Sequence, residues 1–119
     1  MVTLADVREL ALQLPRSYEA LVRDCVKFRV RRLVYLAFSR DETRMGFGFP
    51  KEERESLVAS DPDKFLMPLA SDLRYNWVRV RLSAITEAEM HELVVDAWCM
   101  VVPKSVAAAY LAAPGTPGD

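Results

Sequence analysis

A chain of 119 residues with 51% hydrophobic and 28% charged side chains has room for one domain with a sizeable core, and this mixture argues against global disorder. Its formal net charge of −1 counts against a strong, non-specific nucleic-acid binder, and its two cysteines are too few for a disulfide framework or a four-ligand zinc site. The N-terminal segment lacks the apolar run of a signal peptide and no stretch approaches the ~20 apolar residues of a membrane span, so we expect a cytoplasmic protein that does not contact a membrane.

The first half of the chain predicts one helix followed by several strands. Thr3 can cap a helix that Pro15 ends, because the apolar residues between them recur at helical spacing. Between residues 18 and 49 the apolar residues alternate with polar ones, which predicts three or four strands. The segment "LVYLAFS" is apolar on both sides and suits a central strand, and "SRDET" suits a hairpin turn.

The second half predicts further helices around one or two more strands. Pro50 fits the first position of a helix, since glutamates follow it closely. The segment "YNWVRVRL" (75–82) alternates like a strand. Thr86–Glu89, "TEAE", is a capping box at the start of another helix, and Ser105–Ala112 predicts a last short helix.

This order of elements predicts an α+β fold. We expect a two-layer sandwich in which a mostly antiparallel sheet of about five strands carries helices packed on one face. Residues 1–112 are predicted to form a single domain, and residues 113–119 a flexible tail.

The charges are unevenly distributed along the chain. Residues 16–44 hold eight basic and four acidic side chains, residues 74–82 hold three arginines and no acid, and residues 83–119 hold one basic and five acidic side chains. The near-neutral total therefore conceals a basic sheet and acidic helices. If the apolar strand residues face the helices, six residues share the opposite face of the sheet: Lys27, Arg29, Arg44, Trp77, Arg79 and Arg81. Such a face suits phosphates and stacked bases, but a charged sheet face is more often simply solvated.

The chain carries little other recognisable chemistry. His91 is its one histidine, no serine lies in a G-x-S-x-G motif, and "GFG" (46–48) lacks the third glycine and the following helix of a phosphate loop. An acidic helix face could bind a metal ion weakly or be solvated; it comprises Glu87, Glu89, Glu92 and Asp96. We therefore expect no enzymatic activity, no cofactor and no conventional metal site.

Several segments together resemble the MmcQ/YjbR family of small bacterial proteins: "VKFRV", "FPKEERE", "DPDKF", "YNWVRVRL" and "AW…VVPK". The resemblance runs from the first helix to about Leu111. It implies an α/β sandwich similar to the frataxin-like and secretion-chaperone-like folds, a DNA-binding type of function through paired hairpins, and no catalytic activity. Many relatives have glycine and lysine in the first hairpin turn, where this chain has Arg31 and Arg32. Because arginine disfavours positive φ, we expect a longer or differently shaped loop here.

The leading hypothesis is a non-enzymatic DNA-binding protein in which Trp77 stacks on a base or sugar, or braces the arginines. The predicted phosphate contacts are Lys27, Arg29, Arg31, Arg32, Arg44, Arg79 and Arg81. No helix is basic enough to be a recognition helix, so shape or single-strand binding is expected. Two alternatives stay open. The chain could be an interaction module that binds an acidic partner or forms a homodimer through Leu33–Phe38, or a metal-handling protein that uses the acidic helix face.

Overall fold

A computed structural model describes residues 2–112 of the chain. The helices are α1 (Leu4–Ala11), α2 (Arg54–Ser60), α3 (Glu87–Cys99) and α4 (Lys104–Ala112). The strands are β1 (Ser17–Val22), β2 (Cys25–Val30), β3 (Leu33–Phe38), β4 (Arg44–Gly48), β5 (Phe65–Leu66) and β6 (Trp77–Arg81). The tail predicted for residues 113–119 lies outside the described residues.

The strands form one open, fully antiparallel sheet in the order β1-β2-β3-β4-β6-β5. Four consecutive strands are joined by short turns, and β6 then pairs with β4 after the chain has passed through α2 and β5. This arrangement confirms the predicted α+β fold and its antiparallel sheet. The sheet has six strands rather than about five because β5, only two residues long, pairs with the edge of β6 that does not face β4.

The core lies between one face of the sheet and helices α1 and α3. Its sheet side is apolar at every second position, as in Phe28 of β2, Phe47 of β4 and Val78 of β6, all almost completely buried. From α3, Trp98 is fully buried, and its Nε1 donates a hydrogen bond of 2.9 Å to the carbonyl of Pro15. That bond ties the end of the α1 segment to the helix layer.

The helix caps follow the sequence prediction, with one exception. Thr3 and Thr86 both form capping boxes, with Asp6 and Glu89 respectively, so α1 and α3 begin where the prediction places them. The helix predicted at Pro50 begins later, at Arg54, because residues 50–53 form a turn.

The prediction of a longer or differently shaped loop around Arg31 is wrong. Residues 31 and 32 form a tight two-residue turn between β2 and β3, and Arg31 takes a φ of 55°. Arginine is disfavoured in this left-handed region, but the hydroxyl of Tyr18 donates a hydrogen bond to the carbonyl of Arg31 and holds the turn. A contact from the neighbouring strand therefore outweighs the local preference.

No helix within residues 2–112 is long and apolar enough to cross a membrane.

Candidate nucleic-acid interface

The sheet face opposite α1 and α3, here called the outer face, carries the basic residues of the central strands. Cross-strand pairing aligns Lys27 with Ala37, Ala37 with Gly46, and Gly46 with Arg79, so these four residues form one row across β2, β3, β4 and β6. Paired residues of an antiparallel sheet point to the same side. The row therefore has a cation at each end and two small residues between them.

The small residues make the middle of this face a trough. Strands are spaced by about 4.8 Å, so the backbones of Lys27 and Arg79 lie about 14 Å apart. The indole of Trp77 lies across the floor: a Cβ added to Gly46 would stand 2.6 Å from its Nε1. Glycine at position 46 is therefore what allows Trp77 to lie flat on the sheet.

Trp77 divides the trough into two cavities. The hairpin-side cavity, about 620 Å³ in volume, lies towards the β2–β3 turn and includes Lys27 and Arg32 among its lining residues. The turn-side cavity, about 320 Å³, lies towards the β3–β4 turn and includes Arg44 and Arg79. Trp77 and Asp72 line both cavities, so the two form one continuous feature of the outer face.

The cations of this feature are not neutralised by ion pairs. Within residues 2–112, salt bridges join Arg8 to Glu19 and Lys64 to Asp61 and Glu89, and none of these pairs includes a predicted phosphate contact. Instead, Arg44 stands directly opposite Arg81 in the β4–β6 pairing. Like charges at such positions repel and reduce the stability of the sheet.

The pKa of Arg79 is also affected by the excess of positive charge around it. Burial lowers the pKa of Arg79, the neighbouring charges of Arg44 and Arg81 lower that pKa further, and Asp72 acts in the opposite direction. Its Nε donates a hydrogen bond of 3.0 Å to the carbonyl of Met67, which holds the guanidinium in place beside the trough. Arg79 is thus a fixed cation in a field of other cations.

The predicted site residues do not all meet. Lys27, Arg32, Arg44, Trp77 and Arg79 line the two cavities. The remaining three lie around them: Arg81 is exposed beyond Arg79 on β6, Arg31 is exposed at the hairpin tip, and Arg29 lies towards β1, paired with Tyr18. The Nε of Arg29 is buried without a hydrogen-bond partner in the described part of the chain, which makes it the least available of the set.

Two functional features were not predicted from the sequence. Among residues 2–112, Arg54 is the one charged residue that is buried, with 9% of its surface exposed. Its guanidinium donates hydrogen bonds to carbonyl groups of a loop. The acceptors are the carbonyl oxygens of Leu73, Tyr75 and Trp77. Arg54 therefore holds the loop that ends at Trp77 and forms one wall of the trough. Asp72, carried by the same loop, is the acidic residue shared by both cavities.

The acidic face of α3 has no comparable convergence. Glu89 is bound by Lys64, at 2.6 Å, and by the backbone of its own capping box. Within residues 2–112 no group of three or more His, Cys, Asp or Glu side chains is placed to hold a metal ion. The metal-handling alternative therefore gains no support from the geometry.

The comparisons with known proteins agree with this fold. A crystal structure of the Deinococcus radiodurans protein DR2400, which carries the family-model domain DUF419, matches with a TM-score of 0.74 and 24% identity, covering 88% of this chain and 82% of that chain. At this identity the likeness shows the fold alone. No curated protein matches the chain. The family model named YjbR matches residues 12–100, which is most of the chain, and the chain therefore belongs to the YjbR family.

Proposed function

We propose that this protein is a non-enzymatic DNA-binding protein whose outer face holds the backbone of a nucleic-acid strand. In this proposal Lys27, Arg32, Arg44, Arg79 and Arg81 contact phosphates, and Trp77 stacks against a base. The observation that carries the proposal is the pairing of Arg44 with Arg81, next to Arg79 and without an ion-pair partner among residues 2–112.

This arrangement favours binding over simple solvation. A face that serves only solubility gains stability by mixing both signs of charge, whereas cross-strand like charges reduce it. Residues that reduce stability are typical of functional sites, because a bound ligand of opposite charge relieves the repulsion. A polyanion would do so for the whole cluster at once.

The shape of the face favours a single strand over a duplex. Duplex readers usually place a basic helix or ribbon in the major groove, but the helices of this protein are its acidic layer. A trough of about 14 Å with an aromatic ring on its floor suits a flexible strand whose bases can stack. Phosphate contacts of this kind position a strand without reading its sequence.

The test is fluorescence anisotropy with short single-stranded and duplex DNA over a salt series. With these five phosphate contacts, log K should fall against log salt with a slope of about −4.5 on duplex DNA, or about −3.5 on a single strand, and the single strand should bind more tightly. Absence of binding to either DNA at about 50 mM salt would end the proposal.

A pair of variants separates specific contacts from general charge. Arg44→Gln/Arg81→Gln removes two charges from the outer face and should reduce the single-strand slope by about 1.4. Arg23→Gln/Lys104→Gln removes two exposed charges from the β1–β2 turn and from α4, and should leave the slope close to that of the wild type. Equal effects of the two variants would mean that binding does not use the outer face.

A further inference from the structure

The hairpin-side cavity has the walls of a nucleotide-binding pocket. Its volume of about 620 Å³ falls within the range of about 300–1,000 Å³ that is usual for small-molecule sites. Trp77 and Tyr75 supply aromatic walls, and Val34, Ala37 and Met100 supply apolar surface. A flat aromatic ring such as a nucleobase can stack there through its faces while its polar edge stays free to form hydrogen bonds.

The polar groups of this cavity are arranged asymmetrically. Lys27 and Arg32 come from β2 and the β2–β3 turn, whereas Asp72 and Asn76 come from the loop that precedes β6. One side therefore attracts an anion and the other offers hydrogen-bonding groups. A nucleotide has the same division, with a phosphate at one end and a base edge at the other.

Asp72 restricts which base edge fits. Its carboxylate lines the cavity and takes part in none of the salt bridges within residues 2–112, so that its oxygens can accept from a ligand. An ionised carboxylate only accepts hydrogen bonds, and it therefore selects base edges that carry N–H groups. Guanine presents two adjacent donors, N1–H and N2–H, which match both oxygens, whereas thymine presents one donor between two carbonyls that the carboxylate repels.

From this cavity we infer that the protein captures an unpaired guanine nucleotide of a single strand, with the base between Trp77 and Asp72 and its phosphate near Lys27 and Arg32. The inference rests on the proposed function, because the same outer face would hold the rest of the strand. It adds a preference for one base to a surface whose other contacts read only the backbone.

The experiment compares thymidine oligonucleotides of about 12 nucleotides that contain one central guanine, adenine or cytosine, or none. The guanine strand should bind about tenfold more tightly than the all-thymine strand, which corresponds to one two-bond contact with a base edge. Free deoxyguanosine monophosphate should quench tryptophan fluorescence. The signal would come from Trp77, because Trp98 is fully buried in the core.

Two matched variants decide the role of the carboxylate. Asp72→Asn removes a negative charge and one acceptor, so it should abolish the preference for guanine while thymine strands still bind. Asp63→Asn removes the same charge from an exposed turn and should keep the preference. If all four strands bind equally, or if both variants behave alike, the inference is overturned and the proposed function stands. If no strand binds, the inference is overturned, and the proposed function falls with it when duplex DNA does not bind either.

Discussion

Removing one arginine from the outer face is expected to make this protein more stable. Arg81 is exposed, and the pairing of β4 with β6 sets it opposite Arg44, with Arg79 two residues before it on the same face. The protein as a whole carries a net charge of −1, so loss of a positive charge would destabilise it slightly if only the overall charge mattered. The local cluster predicts the opposite sign for Arg81→Gln.

The magnitude follows from Coulomb's law in water. Facing side chains on a sheet have Cβ atoms about 5 Å apart, and long side chains that diverge put their charges about 8 Å apart. At this distance two charges in water repel by about 0.5 kcal/mol. With Arg79 contributing as well, Arg81→Gln should raise the free energy of unfolding by about 0.5–1 kcal/mol at low salt, a rise of roughly 2–5 °C in Tm.

Urea denaturation followed by circular dichroism, at about 10 mM and about 500 mM salt, tests the sign and its cause. The gain should shrink strongly at high salt, since the Debye length there is shorter than the distance between the charges. Arg23→Gln, at the β1–β2 turn beside Asp24, removes the same charge outside the cluster and should give no gain. A gain equal at both salts, or a loss of stability at low salt, would refute the argument.

A double-mutant cycle identifies the partner. The pKa of Asp41 is lowered mainly by hydrogen bonds from Ser39 and Thr43, and the charge of Arg44 lowers it a little further. Arg44→Gln should therefore gain less than Arg81→Gln, because it also removes this attraction. The double variant should gain less than the sum of the two single variants, because either substitution alone removes the repulsion between Arg44 and Arg81. Strict additivity would show that the two arginines do not interact.

Three further substitutions test the rest of the structure. Gly46→Ala should lower stability by about 1–3 kcal/mol and shift the emission of Trp77, because the new methyl group overlaps the indole. The control is Gly48→Ala, whose Cβ would lie 3.6 Å from the nearest atom, and it should change stability by less than about 1 kcal/mol. Tyr35→Phe should reduce the loss of stability at alkaline pH. Burial raises the pKa of the Tyr35 phenol from 10.0 to about 12, so this group's contribution to wild-type stability is complete below pH 10 and is lost as the pH rises from 10 to 12. A series of urea melts at increasing pH would detect the difference between the two proteins. Arg54→Met should lower the free energy of unfolding by about 2–5 kcal/mol, since three loop carbonyls lose their buried donor, and hydrogen exchange should show faster opening of the loop before β6.

Local sequence signals account for most of the fold. The capping box at Thr86 and the alternation along Trp77–Arg81 are short-range patterns, and both elements form where those patterns place them. The β2–β3 turn was mispredicted because the hydrogen bond that holds it comes from Tyr18, thirteen residues away. β5 escaped prediction since two residues are too few to show a period.

The candidate site divides in the same way. The period of two in the strands was enough to assign Lys27, Arg44 and Arg79 to one face of the sheet. The trough was not predictable, because it depends on cross-strand neighbours that place Ala37 beside Gly46. The position of the loop that forms one wall of the trough was not predictable either, because Arg54, which holds it, lies about 20 residues away in the chain.

The two layers explain how a nearly neutral protein can present a cationic surface. The exposed acids of α3, such as Glu87 and Glu92, lie on the side of the helix that is turned away from the sheet. Packed layers are separated by about 10 Å, and at physiological salt charges are screened over about 8 Å. The acids are therefore too far away to neutralise Arg44, Arg79 and Arg81, although they cancel them in the total charge. The sign of the outer face is set by which layer each charge belongs to, and the net charge of the chain does not reveal it.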